Sequence, residues 1–190
     1  QMGGWFNNPI NTIADFKGLK VRMPGLGGEV LKRVGAVPVN MAGRELYGAL
    51  QTGAIDAAEW VGPVNDLAFG LHKVAKYYYY PGWHEPGSNM EFLINTAAFE
   101  SLPEDLQAIV RVAARAINQD MLDEYTTRNV TALETLVKDE GVELKAFPPN
   151  VLLELEKISK QVIEDQANQD PLMRKVYDAY HTYEQGVRQY

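Results

Sequence analysis

The sequence predicts an α/β protein built on a mainly parallel sheet with helices on both faces. Short apolar runs of strand length alternate with helical patches through the first half of the chain, and glycine or proline separates nearly every run from the next. In the second half, one helical pattern is far longer than the rest. Strand–helix alternation favours parallel pairing, because a crossover helix returns the chain to the same end of the sheet.

The expected elements follow in order. Residues 19–23, Leu-Lys-Val-Arg-Met, form a short strand closed by Pro24-Gly25. A helix over residues 29–34 ends at Gly35, where a left-handed backbone costs glycine little. Residues 37–40 are the next strand, 44–52 a helix stopped at Gly53, and 55–61 a buried strand. Residues 63–73 read as helical, and four consecutive tyrosines at 77–80 are extended before Pro81-Gly82. Residues 90–95, Met-Glu-Phe-Leu-Ile-Asn, are expected to add a strand. Ser101-Leu102-Pro103-Glu104 has the spacing of a capping box. Behind it, Leu106, Ile109, Val110, Ala113, Ile117 and Met121 share one helical face, which continues through Val130, Leu133 and Val137 to Gly141. A helix of that length is unusual in a compact domain and suits a brace between two lobes. Residues 142–147 form a last strand before Pro148-Pro149, and residues 151–167 a further helix. The final stretch carries an apolar stripe at Met173, Val176, Tyr177, Tyr180 and Val187, suited to its own lobe or to a partner subunit.

Composition narrows the function classes. A chain of 190 residues with 46% hydrophobic and 23% charged residues can bury a sizeable core. The net charge of −7 gives no general attraction to nucleic acid or anionic membranes, so an anionic ligand needs a local cation. With no cysteine, disulfides, thiolate metal sites and a cysteine nucleophile are excluded. Residues 1–6 show no basic region followed by an apolar stretch, so a fragment, or a chain processed beyond an ordinary mature terminus, is expected.

Four features invite a chemical role. Arg22 closes a short strand beside Pro24-Gly25, at the sheet edge where open α/β folds bind ligands. Its guanidinium can grip a carboxylate through two parallel bonds, or simply face water. Glu59 ends a buried run, where a carboxylate needs a partner or a metal unless it sits exposed at the strand end. Trp60 beside it serves as packing or as a pocket wall. His84-Glu85 lacks the second histidine of a zinc-protease helix, since position 88 is Ser88. Glycines 25, 27 and 28 offer backbone donors at a helix start, but match neither a dinucleotide nor a phosphate loop. Composition and spacing alone stop at an α/β ligand-binding or enzyme domain.

Four strings taken together are more specific: Gln1-Met2-Gly3-Gly4-Trp5-Phe6; Leu19-Lys20-Val21-Arg22; Gly53 through Pro63, Gly-Ala-Ile-Asp-Ala-Ala-Glu-Trp-Val-Gly-Pro; and Tyr77 through Glu85. They resemble the solute-binding subunits of tripartite ATP-independent periplasmic (TRAP) transporters, in the branch that takes 2-oxo acids such as pyruvate, or lactate, with a cation. The resemblance runs over essentially the whole chain and is strongest from Gln1 to Glu85.

The resemblance implies a periplasmic-binding-protein-like two-lobe fold with its N-terminal part absent and a long bridging helix. Residues 1–87 and 128–190 would form the second lobe, and residues 88–127 part of the first lobe with the start of the bridging helix. It also implies a division of labour: Arg22 pairs with the substrate carboxylate, while Gln1, Glu59, the Trp60 carbonyl and Glu85 hold the cation together with ligand oxygens. Arg22 supplies one positive charge, while Glu59, Glu85 and a monocarboxylate supply three negative ones. Calcium would neutralise the remainder and sodium would halve it, which favours Ca2+ over Na+. The implied protein is a periplasmic receptor, not an enzyme. Its partners are a small carboxylate and the membrane subunits of a TRAP transporter, with a homodimer through the C-terminal helix as a further possibility. The competing expectation is a metal-assisted lyase or hydrolase using Glu59 and Glu85 as an acid–base pair.

Overall fold

The computed structural model describes residues 1–88 and 90–189; Asn89 and Tyr190, which fall within the two lobe assignments, lie outside the described residues. Six strands form one sheet in the order β3-β2-β4-β1-β5-β6. They are β1 (Gly4–Phe6), β2 (Lys20–Arg22), β3 (Val37–Val39), β4 (Ala57–Ala58), β5 (Tyr77–Tyr80) and β6 (Glu143–Ala146). The pairs β2–β3, β2–β4 and β5–β6 are parallel, as expected. In the middle, however, β1 runs antiparallel to both β4 and β5, so the sheet is mixed. Three residues that begin at the second glycine of a Gly-Gly pair carry too little pattern to announce a central strand.

Strand periodicity sorts consecutive side chains into two cores. Phe6, Val21, Ala57 and Tyr79 join Phe16, Leu31, Phe147, Val151, Leu155 and Val162 on one face. Trp5, Ala58 and Tyr78 join Leu46, Leu50, Ile55, Leu71 and Leu136 on the other. The tyrosine run is thus divided: Tyr78 stacks on Trp5 at 4.0 Å between ring centroids, while Tyr79 packs on Phe147 at 4.6 Å.

The helices are α1 (Gly25–Arg33), α2 (Leu46–Thr52), α3 (Pro63–Ala68), α4 (Thr96–Glu100), α5 (Glu104–Lys138), α6 (Pro149–Ala167) and α7 (Pro171–Val187). Helix α1 starts four residues earlier than its apolar pattern, directly after Pro24. Helix α3 stops at Ala68, because Gly70 turns left-handed (φ 71°) before a single 3-10 turn. The long helix is present: α5 runs 35 residues. Only Ala132 and Leu136 of it are buried, so its C-terminal third packs on the sheet unit while the rest extends away.

Two local expectations are corrected. Residues 90–95 form no strand; Phe92 and Leu93 are 68% and 89% exposed. Strand propensity cannot act there, because no neighbouring strand offers a hydrogen-bonded ladder among the described residues. Ser101 does not open a capping box. It ends α4 in a helical conformation and donates to the Ala98 carbonyl, leaving Pro103 as the N-cap of α5. Helix α7 buries none of its side chains and is tied to α6 by Arg174, which binds Glu164 at 2.6 Å. Its stripe therefore faces outward: Met173, Val176, Tyr180 and Val187 are all exposed. No helix among the described residues is long and apolar enough to cross a membrane.

Candidate functional site

Sheet direction collects the candidate residues at one edge. Arg22 is the last residue of β2, Glu59 and Trp60 follow β4, and His84 and Glu85 follow β5; these three strands share one direction. Because β1 runs the other way, its entry segment, Gln1 to Gly3, reaches the same edge. Two backbone bonds hold it there, from Met2 N–H to the Val61 carbonyl (3.3 Å) and from Gly3 N–H to the Tyr79 carbonyl (2.7 Å). Gly82 permits the close approach of Gln1, since a Cβ on Gly82 would lie 2.8 Å from the Gln1 Cβ.

Two clusters occupy this edge. In the first, Arg22 Nη1 donates to the Glu59 carbonyl at 2.8 Å and to Glu59 Oε2 at 3.2 Å. Both side chains are nearly buried, at 12% and 6% exposure, so the pair is shielded from water. The guanidinium also lies over the Trp60 ring at 5.3 Å. His84 Nε2 approaches Glu59 Oε1 at 3.7 Å from the other side. In the second cluster, Gln1 Nε2 donates to Ser88 Oγ at 2.7 Å, and Ser88 Oγ donates to Glu85 Oε1 at 3.1 Å.

Several polar atoms here are buried without a hydrogen-bond partner: Arg22 Nε, Gln1 Oε1, Trp60 Nε1 and both ring nitrogens of His84. Leaving a buried donor or acceptor unmade costs about 1–3 kcal/mol each. Nη1 of Arg22 is anchored on Glu59, so the fork formed by Nε and Nη2 is the side left for a carboxylate. Gln1 Oε1 is an unused oxygen at the edge that also carries Glu59 and Glu85, which suits a hard cation. No group of three or more His, Asp or Glu side chains clusters among the described residues. An ion here would therefore need the Gln1 amide oxygen, a main-chain carbonyl and ligand oxygens to complete its shell.

Beneath the edge lies Asp66, 1% exposed, which sequence reasoning passed over. Its Oδ2 accepts from Trp5 Nε1 (2.8 Å) and Tyr78 OH (2.7 Å), and its Oδ1 from Val61 N–H (3.2 Å). Burial pushes its pKa up to about 6, against the pull of these three donors. Burial, with the adjacent Asp66 charge, also drives the Tyr78 phenol far upward, so it stays a donor. His84 was set aside in the sequence for want of a second histidine, and Ser88 stood only as the residue in that histidine's place. Their position after a parallel strand, beside Glu85, was the available signal. Two concavities lie elsewhere, one lined by His72, Lys73 and Glu140 and another by Phe92, Phe99 and Ile117.

The model of the bacterial extracellular solute-binding protein family 7 matches residues 1–170. A monocarboxylate 2-oxoacid-binding periplasmic protein of Nostoc sp. is 41% identical over 187 residues, 98% of this chain and 51% of that protein. A TRAP periplasmic solute-binding protein from Colwellia psychrerythraea, solved with calcium and pyruvate, is 43% identical with a TM-score of 0.93. The match covers 100% of this chain and 58% of that one. One from Pseudoalteromonas atlantica, with sodium and pyruvate, is 42% identical with a TM-score of 0.90, covering 100% and 57%. The chain thus spans little more than half the length of these relatives. The fold class and the periplasmic, TRAP-type resemblance expected from the sequence are borne out. With most of its length matched by the family model, the chain belongs to the family 7 bacterial extracellular solute-binding proteins.

Proposed function

We propose that the protein is the solute receptor of a TRAP transporter, capturing a small 2-oxo or 2-hydroxy monocarboxylate such as pyruvate or lactate together with a cation. One observation carries this: a buried guanidinium donor, Arg22 Nε, and a buried oxygen acceptor, Gln1 Oε1, both lack partners at the same sheet edge. A carboxylate satisfies the first and a metal ion the second. A 2-oxo acid brings both functions in one chelating molecule. Arg22 would hold the carboxylate, with Trp60 as a wall. Gln1, Glu59, the Trp60 carbonyl and Glu85 would hold the ion. The charge balance favours Ca2+ over Na+, and the similar solved proteins contain one or the other.

Residues 1–87 and 128–190 would form the second lobe, and residues 88–127 would enter the first. In support, the apolar residues Phe92, Leu93, Ile109, Val112 and Ile117 are exposed, whereas Ala132 and Leu136 are buried. Ligand would draw the lobes together across this edge, and the closed form would be delivered to the membrane subunits. The outward stripe of α7 suits a second copy of the chain. Binding is without turnover, so Glu59 and Glu85 act as ligands and not as an acid–base pair.

Calorimetric titration with pyruvate in calcium buffer tests the proposal. Stoichiometric heat, abolished by chelation and unaccompanied by any product, is expected. Turnover that is lost in Glu59→Gln would replace the receptor by an enzyme.

A further inference from the structure

We propose that Asp66 is a positioning residue that aims the Trp60 carbonyl at the bound cation and biases the site toward divalent ions. The inference rests on the assignment of that carbonyl as an ion ligand, and it is carried by hydrogen bonds that the ligand assignment does not use.

Asp66 Oδ1 accepts from the N–H of Val61, and that N–H belongs to the same peptide unit as the Trp60 carbonyl. The peptide is trans, since the Tyr80–Pro81 bond alone is cis among the described residues. In a trans peptide the N–H and C=O point in opposite directions, so an acceptor fixed on one side directs the carbonyl away from it. Asp66 is itself locked by Trp5 and Tyr78. The preceding peptide, Glu59–Trp60, is held by Arg22 Nη1, which donates to the Glu59 carbonyl, and the one before it by Glu59 N–H, which donates to the Arg22 carbonyl at 2.9 Å. Among the described residues no donor reaches the Trp60 carbonyl, which is therefore oriented and left open.

The choice of a carboxylate carries a second consequence. An asparagine has one acceptor oxygen, so if it accepted the Val61 N–H its NH2 would face the Trp5 indole N–H; only a carboxylate accepts from all three donors, and it does so with a buried charge. Burial opposes that charge, as the upward shift of the Asp66 carboxyl shows. A charge held against that opposition polarises the Val61–Trp60 peptide and deepens the negative potential where the ion sits. Coulomb energy scales with ionic charge, so calcium gains twice what sodium gains.

The test compares the wild-type protein with Asp66→Asn at pH 8, with pyruvate saturating and calcium or sodium titrated. The expected weakening is roughly fivefold for sodium and roughly 25-fold for calcium, the square of the first factor. Equal factors for the two ions would mean general structural damage and overturn the electrostatic role. Tyr78→Phe removes a donor from Asp66 while leaving its charge, and it is expected to preserve the calcium-to-sodium ratio; a ratio shifted as in Asp66→Asn overturns the inference.

A direct readout uses the one Trp-Val sequence in the chain, Trp60-Val61. With 13C-carbonyl tryptophan and 15N-valine, a single carbonyl–amide NMR correlation reports this peptide. Calcium should shift that correlation in the wild type and shift it less in Asp66→Asn. If the asparagine variant does not fold, the wild type suffices: the Asp66 side-chain 13C resonance must move in the same titration, and its constancy overturns the coupling. A Trp60 resonance that moves equally in both proteins, with unchanged affinities, rejects Asp66 but keeps the ion site. A Trp60 resonance that ignores calcium in a wild type that still binds the ion rejects the carbonyl assignment and this inference with it.

Discussion

Replacing Arg22 separates the two tasks assigned to it. On the protein side, Nη1 serves Glu59 through its carbonyl and its carboxylate, both in a nearly dry setting. On the ligand side, the fork of Nε and Nη2 is free. In Arg22→Ala the ligand carboxylate loses two charge-assisted bonds of about 1.5–3 kcal/mol each. Truncating one partner of a buried, hydrogen-bonded charge pair is worth about 2–5 kcal/mol as a whole. The expected loss of pyruvate affinity is therefore about 3–5 kcal/mol, between two and four decades in Kd. Arg22→Lys keeps the charge but not the planar fork, and should forfeit about half of that. Isothermal titration of pyruvate at saturating calcium measures both. The same variants leave Glu59 buried beside His84 without its arginine, so a drop in thermal stability should accompany Arg22→Ala. A Kd within threefold of wild type, in a variant that is still folded, would refute the carboxylate role of Arg22.

Ion identity is checked by native mass spectrometry and anomalous scattering from protein in calcium-containing buffer: calcium is expected, and sodium alone would overturn the charge argument. Asp66 also makes a pH prediction. Its folded pKa, about 6, lies above the ordinary 3.8, so between these values the folded state binds more proton than the unfolded chain. Its contribution to stability is therefore present at low pH and lost as pH rises through that window, by at most ~3 kcal/mol. The difference in unfolding free energy between Asp66→Asn and wild type should accordingly move in favour of the variant from pH 4 to 7; a flat difference would show the carboxyl is not perturbed. Finally, Val176→Glu places a charge on the exposed stripe of α7, where Val176 is 62% exposed. It should convert a dimer to a monomer by light scattering with little change in melting temperature; an unchanged mass in a dimeric wild type would move the interface elsewhere.

How far the site was legible in the sequence depended on the residue. Arg22 could be placed because a strand ending in Pro24-Gly25 is a local pattern, and its sheet edge follows from topology. For Glu59 the apolar run gave position but not burial; the 5% exposure arises from Arg22, His84 and the chain start converging from distant segments. The contact of Gln1 with Ser88 spans 87 residues, beyond any local pattern; the family resemblance grouped Gln1 with Glu85, but the Ser88 hydroxyl that bonds both was not foreseen. Asp66 resembled an ordinary acidic residue in the first turn of α3, where such residues are favoured without further purpose. Only the fold shows it facing Trp5 and Tyr78. The false strand at residues 90–95 has the opposite cause: its composition favours extension, but a strand exists only where another backbone completes its ladder.

The single reversed strand explains why so short a segment as Gln1 to Gly3 matters to the site. In an all-parallel sheet every strand enters at one edge and leaves at the other, so residues preceding a strand stand opposite those that follow its neighbours. Reversal of β1 brings its entry to the exits of β2, β4 and β5. The edge thereby gains an amide oxygen without adding a carboxylate. That distinction matters energetically. A third carboxylate beside Glu59 and Glu85 would repel the anion proposed for Arg22, whereas the neutral Gln1 oxygen would coordinate a cation at no cost in charge. A site meant for an ion alone gains from more carboxylates; one that must hold an ion and an anionic ligand together does better with few charges and several neutral oxygens, which is the set proposed for this edge.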